Sequence, residues 1–200
     1  MFVSFEGIDG SGKTTQVGLL VEQLRDEGRE VVATREPGGT ELGERIRELL
    51  LAGGGMAPWA EAALFAAARA ELVAGVIRPA LEAGADVVCD RYVDSSLAYQ
   101  GIARGLGVEA VLALNREAIG GLLPDRTFLL LVDPEGARRR SGRMRDRIER
   151  EEFWGELDGA YRQLAELFSD RIVPIDGSLR REAIADLVRQ ELVASRGPAS

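Results

Sequence analysis

Histidine occurs nowhere among the 200 residues, and cysteine only once, at Cys89. The first absence removes Ser-His-Asp and Cys-His catalysis and any zinc site built on histidine ligands. The second removes a disulfide framework and points to a reducing compartment. Long apolar runs are missing too. The run from Ala62 to Ala68 stops at Arg69, so no stretch reaches the length needed to cross a bilayer. Met1 to Phe5 is interrupted by Glu6 and then by glycines, which is too short for the apolar core of a signal peptide. Positive charge is in deficit: 25 lysines and arginines against 33 aspartates and glutamates leave a formal net charge of −8. That balance argues against a nucleic-acid binder, whose affinity comes from neutralising phosphates, although a local basic cluster can still hold a small anion. A soluble cytoplasmic protein that contacts neither membrane nor nucleic acid is the expectation.

What the chain has is enough apolar content, 46% hydrophobic, to bury one core without help from a disulfide or a structural metal. Short β-type runs alternate with longer helical ones, the pattern of an α/β fold with a parallel sheet. Strands are expected at Phe2-Glu6, Glu30-Thr34, Asp86-Asp90, Thr127-Val132 and Arg171-Ile175. They are nearly continuous apolar runs, as strands covered on both faces require. Helices are expected over Lys13-Glu27, Glu41-Leu51, Glu61-Glu82, Glu109-Ile119, Phe153-Phe168 and Arg181-Ala194. In the last, Ile184, Leu187, Val188 and Leu192 recur at helical spacing. Asp133-Pro134 supplies an N-cap and a first-turn proline for a further short helix. One domain is expected over residues 1–194, with an arginine-rich stretch at 138–150 and a fraying polar tail at 195–200.

The first strand runs into Gly7-Ile8-Asp9-Gly10-Ser11-Gly12-Lys13-Thr14, which has the spacing of a phosphate-binding P-loop. The glycines let the backbone wrap a phosphate so that successive N–H groups point inward, and the helix that follows adds its positive end. Lys13 can reach the β- and γ-phosphates, and the Thr14 hydroxyl is placed to ligate Mg²⁺. A β-type run before the loop and Gln16-Val17-x-Leu19-Leu20-Val21 after it supply the required strand and helix. Binding of ATP or GTP follows.

A GTPase needs a guanine-selecting Asn/Thr-Lys-x-Asp segment, but the only asparagine, Asn115, lies in Leu114-Asn115-Arg116-Glu117. A motor or regulatory ATPase would usually be larger or end a strand in an Asp-Glu pair; here the third strand ends in Asp90-Arg91-Tyr92. An acidic residue beside a basic one suits a site that handles both Mg²⁺ and a second anionic phosphate. That points to a kinase with a phosphorylated acceptor.

Over nearly its full length the chain resembles the thymidylate kinases. The matching segments, in order, are Phe5-Glu6-Gly7 through Thr15, Thr34-Arg35-Glu36-Pro37-Gly38-Gly39-Thr40, Leu64-Phe65-Ala66-Ala67-Ala68-Arg69, Asp90-Arg91-Tyr92, Ser95-Ser96-Leu97-Ala98-Tyr99-Gln100-Gly101 and Asp146-Arg147-Ile148-Glu149. The resemblance implies a P-loop nucleoside-monophosphate-kinase fold with a five-stranded parallel sheet flanked by helices. It implies transfer of the ATP γ-phosphate to dTMP with Mg²⁺, by a homodimer.

Residue by residue, the resemblance makes Gly7 to Thr15 the donor-binding loop, with Asp9 also meeting the deoxyribose 3′-hydroxyl. Arg35 and Arg91 bind the acceptor phosphate, although Arg35 alone reads as a solvated turn residue and Asp90 with Arg91 as a surface ion pair. Asp90 orients Mg²⁺ through water. Phe65 and Arg69, four apart on one helix face, become a platform for thymine and a donor to its carbonyl; an aromatic in an alanine-rich helix otherwise reads as core. Ser96 and Gln100 face the base, and Tyr99 packs under the sugar, disfavouring a 2′-hydroxyl. Some members of the family carry a catalytic arginine in the P-loop, where this chain has Gly10. The charge must then come from the lid, with Arg143 and Arg147 the leading candidates; the spacing does not single out one of them. Another acceptor nucleotide such as dUMP, a nucleoside acceptor, or a P-loop protein that has lost catalysis are the alternatives.

Overall fold

The computed structural model describes residues 1–52, 55–133, 135–137 and 154–195. Five parallel strands, β1 (Phe2–Glu6), β2 (Val31–Arg35), β3 (Asp86–Asp90), β4 (Arg126–Leu131) and β5 (Ile172–Asp176), lie in the order β2-β3-β1-β4-β5. The α/β class and the parallel five-stranded sheet are as expected. Three strands begin one residue away from their expected starts, which moves no side chain to the other face.

The described helices are α1 (Lys13–Asp26), α2 (Glu41–Leu51), α3 (Pro58–Leu72), α4 (Arg78–Glu82), α5 (Val93–Ser96), α6 (Val108–Ile119), α7 (Trp154–Leu167) and α8 (Arg181–Ser195). Helix α3 starts three residues before the expected Glu61, because Pro58 occupies its first turn, where a missing N–H costs nothing. It joins α4 through a wider π-type turn, Val73–Ile77, in which the Arg78 N–H reaches back to the Val73 carbonyl. Pro79, which offers no N–H and crowds the turn before it, is the residue that widens the helix there. A second such turn, Leu97–Ala103, continues α5. After β4, Asp133 caps a helical turn by accepting from the Gly136 N–H at 3.0 Å. The expected lid, residues 138–150, and residues 196–200 of the expected tail lie outside the described residues.

Alternation along the strands divides the core. Val3 and Phe5 of β1 join Val88, Phe128 and Leu130 beneath α1 and α8, where Leu20, Leu24, Val188 and Leu192 are buried. Phe2 faces the other way with Val87 and Cys89, against Leu72 and Ile77. The same parity turns Ser4 and Glu6 toward α5 and α7. These polar side chains are fully enclosed and so must find partners: Ser4 pairs with Thr127 at 2.9 Å, and Thr127 donates to Asp94 at 3.1 Å. Arg171 donates to both oxygens of Asp94 at 2.6 and 2.7 Å, fixing α5 against the end of β5's approach. Phe5 lies opposite Asp90 in the ladder, so the C-terminal ends of β1 and β3 open side by side, where open α/β sheets form their crevice.

Candidate active site

The loop between β1 and α1 departs from ordinary backbone at three glycines, with φ of 135° at Gly7, 77° at Gly10 and 101° at Gly12. At Gly7 space adds to conformation: a Cβ there would lie 2.5 Å from the Leu130 carbonyl oxygen. Lys13, 6% exposed, donates to the Gly7 and Ile8 carbonyls at 2.9 Å each and lies 3.7 Å from Asp9. Thr14, one residue on, donates its hydroxyl to Asp90 Oδ2 at 2.6 Å. The two residues expected beside Mg²⁺ are thus in direct contact, joining the first turn of α1 to the end of β3.

Arg91 follows immediately and has φ of 69°, a left-handed conformation for a residue with a side chain. Its Nη2 donates to Asp9 at 2.5 Å, and its Nη1 to Gly7 O, Ser95 Oγ and Tyr161 Oη at 3.0–3.2 Å. The guanidinium carbon stands 5.5 Å from the centre of the Tyr99 ring. Beneath it, Glu6 is fully buried, and burial pushes its carboxyl up to about 7, with nearby Asp94 adding to the rise and Arg91 opposing it.

A cavity of about 670 Å³ runs along the phosphate loop, from Arg35, Arg47 and Asp90 at one end to Gly177, Leu179 and Arg181 at the other. Gly177 is required at its wall, since a Cβ would meet Val132 Cγ1 at 2.6 Å. Gln16 holds this end by donating to the Arg181 carbonyl at 2.9 Å. Arg35 is 56% exposed and bonds both oxygens of Glu44 at 3.0 and 3.1 Å. Glu44 also accepts from the Gly39 N–H, and that bond, with Arg35 beside it, holds its carboxyl below the usual range.

A second cavity of about 100 Å³ opens between α2, α3 and the α5 turn, lined by Phe65, Ser96, Tyr99 and Gln100 with Pro37 and Leu51. Asp9, Glu36, Arg47 and Arg91 line both cavities and form the wall they share. Of the residues expected to face a base, Arg69 is placed differently. It is 1% exposed, absent from the cavity lining, and donates to Glu36 at 2.7 Å, Ser96 at 3.1 Å, the Tyr92 carbonyl at 3.3 Å and the Asn115 side-chain oxygen. It therefore stands behind Ser96. Gln100 donates its amide to the buried Glu61 at 2.9 Å. Glu36 is 5% exposed, and burial pushes it up to about 7 against the lowering effect of Arg69. Its Oε1 has no hydrogen-bond partner among the described residues. Arg143 and Arg147 lie outside those residues.

The arrangement can wrap a polyphosphate in backbone amides, place a second anion against arginines, and hold a flat ring beside aromatic side chains. Comparison with known proteins agrees. The thymidylate kinase family model matches residues 5–188. A thymidylate kinase of Pelotomaculum thermopropionicum is 52% identical over 193 residues, covering 93% of this chain and 89% of that protein. One from Symbiobacterium thermophilum is 48% identical over 195 residues, covering 95% and 91%. The chain belongs to the thymidylate kinase family. The crystal structure of the thymidylate kinase from Ehrlichia chaffeensis superposes with a TM-score of 0.79 at 34% identity, over 96% of this chain and 98% of that one. The five-stranded sheet is accordingly the nucleoside-monophosphate-kinase fold of the thymidylate kinases. No helix among the described residues is long and apolar enough to cross a membrane.

Several residues of this thymidylate-kinase site carry no local signal. Arg47 sits among the charged residues of α2 and reads as solvated, yet its Nη1 donates to the Pro37 carbonyl at 3.0 Å and it lines both cavities. Tyr161 falls on the same helical stripe as Leu157 and Leu164 and reads as core. Glu6 reads as the end of a strand. Glu36 stands inside a recognised segment, but nothing in its neighbours announces that it is buried.

Proposed function

We propose that the protein is an ATP-dependent dTMP kinase, transferring the γ-phosphate of ATP to dTMP to give dTDP and ADP. The observation that carries the reading is the wall of Asp9, Glu36, Arg47 and Arg91 shared by two chemically different cavities in a chain of this family. The larger cavity follows the phosphate loop and suits a nucleoside triphosphate. The smaller, with Phe65 and Tyr99 as aromatic surfaces and Ser96 and Gln100 as polar groups, suits a pyrimidine deoxynucleotide. Donor and acceptor would meet phosphate to phosphate at the common wall.

The acceptor oxygen is already anionic, so attack on the γ-phosphorus requires no general base. A new P–O bond forms as the bond to the β–γ bridging oxygen breaks, and ADP leaves with that electron pair. Positioning and charge neutralisation therefore carry the rate. Lys13 and the amides of Gly7 to Thr15 hold the donor phosphates, and Arg35 and Arg91 hold the acceptor phosphate. Phe65 supports the base, Ser96 and Gln100 define its polar edge with Arg69 held behind Ser96, Tyr99 disfavours a 2′-hydroxyl, and Asp9 accepts from the 3′-hydroxyl. Arg143 or Arg147, in a lid at 138–150 of the one domain spanning 1–194, stabilises charge on the transferring group.

Thr14 and Asp90 fit Mg²⁺: both offer hard oxygens, 2.6 Å apart and beside the phosphate loop, and Mg²⁺ needs only one or two such protein groups alongside water and phosphate. When bound there, the ion neutralises charge on the β- and γ-phosphates. The family resemblance also supports a cytoplasmic homodimer. Leu42 and Leu49, seven apart on α2, and Trp59 at the start of α3 are 47%, 59% and 50% exposed and offer an apolar surface for a second copy.

A coupled assay of ADP release across a panel of nucleoside monophosphates tests the reading. Turnover should be fastest with dTMP, and Lys13→Ala should remove nearly all of it. No dTMP-dependent ADP formation by the unaltered protein would defeat the proposal.

A further inference from the structure

Glu6 and Tyr161 line neither cavity and take no part in the transfer described above. Both are enclosed, at 0% and 1% exposure. Strand parity turns Glu6 toward α5 and α7, and each of its oxygens is used. Oε1 accepts from the backbone N–H groups of Tyr92 at 2.7 Å and Ser95 at 3.2 Å. Oε2 accepts from the hydroxyls of Ser95 at 2.6 Å and Tyr161 at 3.2 Å. The Tyr92 amide is the one immediately after Arg91, so Glu6 clamps the chain at the point where it leaves a φ of 69°. A side-chain-bearing residue keeps that conformation only when its surroundings impose it.

The guanidinium is held by the same group of residues. Arg91 Nη1 donates to the Tyr161 hydroxyl at 3.2 Å and to Ser95 Oγ at 3.1 Å. The Tyr99 ring beside the guanidinium is itself met edge-on by the Tyr161 ring, with centroids 6.3 Å apart at 81°. The Tyr161 hydroxyl thus stands between a guanidinium and a carboxyl oxygen, accepting from one and donating to the other, which a phenol can do and a phenyl ring cannot.

We propose that Glu6 and Tyr161 are positioning residues for acceptor binding: the carboxylate pins the backbone that presents Arg91, and the Tyr161 hydroxyl fixes its guanidinium for the acceptor phosphate. The proposal rests on the reading of Arg91 as an acceptor-phosphate ligand. Its consequence is selective. Base and sugar meet other residues, so the loss of the hydroxyl should be felt by the phosphate of the acceptor alone.

Tyr161→Phe keeps the ring and removes the hydroxyl. Steady-state kinetics with dTMP and ATP varied in turn should show KM for dTMP raised about three- to tenfold, the size expected for one buried hydrogen bond. KM for ATP and kcat should stay within about twofold, as for a binding contact equally strong in ground and transition states. Inhibition by thymidine, which has base and sugar but no phosphate, should be unchanged. An unchanged KM for dTMP, or equal weakening of dTMP and thymidine, would overturn the positioning role. Arg91→Ala, measured in the same way, separates this outcome from failure of the underlying site. If it leaves dTMP binding intact, Arg91 is not the acceptor ligand and both readings fall; if it weakens dTMP while Tyr161→Phe does nothing, only the positioning role falls. Should Tyr161→Phe not fold, Glu6→Gln, which preserves shape but not charge, takes its place: a selective rise in KM for dTMP supports the positioning role, and an unchanged KM overturns it.

Discussion

Arg69 and Glu36 face each other at 2.6 Å with 1% and 3% of their side chains exposed, and the guanidinium favours the ionised form of the carboxyl beside it. Burial still dominates on the acid side, holding Glu36 up at about 7. The folded protein therefore keeps this proton to about pH 7, while the unfolded chain, at the ordinary value of 4.5, releases it earlier. The stability that comes from this group is fully present below about 4.5 and is lost as pH rises toward 7. The loss is on the order of 3 kcal/mol at most. Glu36→Gln cannot titrate, so melting temperatures taken at intervals from pH 4.5 to 7.5 should show the unaltered protein losing ground against the variant across that window. Two parallel curves would mean that Glu36 is ionised throughout. Glu6 titrates in the same window but is common to both proteins, so the difference isolates Glu36.

At the scale of elements, α2 shows how a cap far from any ligand bears on binding. Thr40 accepts from the Gly43 N–H at 3.0 Å and so closes the first turn. The helix then carries Glu44, which holds Arg35 and the Gly39 amide, and Arg47, which lines both cavities. Thr40→Ala should cost about 1 kcal/mol, a fall of about 2–4 °C in melting temperature for a chain of this size. It should raise KM for dTMP more than KM for ATP, and Thr40→Ser should restore both; calorimetry and kinetics on the two variants decide the matter. The elements themselves were largely legible in the sequence, because a parallel sheet covered on both faces demands continuous apolar strands and its helices keep their period. The π-type turns at Val73–Ile77 and Leu97–Ala103 were not, since helical periodicity carries no mark of one extra residue per turn. The site divides on the same line. The phosphate loop from Gly7 to Thr14 could be read from its spacing, whereas the roles proposed for Asp90 and Arg91 came from the family resemblance. Glu6, Arg47 and Tyr161 act because packing brings distant elements together, and Arg69 turned to Glu36 and Asn115 for the same reason.

Across the whole molecule, charge raises a problem that the two cavities alone do not solve. Lys13, Arg35, Arg47, Arg91 and Arg181 line the larger one, but Asp9, Glu36 and Asp90 stand among them and offset much of their charge, and Arg181 is paired with Glu182 at 2.5 Å. Lys13 and Arg91 are in addition held by carbonyls and carboxylates of the loop itself. Gly10 brings no cation. Charge growing on the transferring phosphoryl group therefore calls for a further source, and the arginines between residues 138 and 150 are the source we propose. Ala137 before that stretch and Leu157 after it are both fully buried in one core cluster, so both flanks are tied to the body of the protein. Arg143→Ala and Arg147→Ala should separate binding from catalysis. An arginine that meets the transferring group contributes about a thousandfold or more to turnover. At least one variant should accordingly lose kcat by about 10²- to 10³-fold while KM for ATP and dTMP moves far less, because the contact strengthens only as charge develops. If both variants keep kcat within about twofold, the transfer must be stabilised from elsewhere, and Arg47 at the shared wall becomes the residue to remove next.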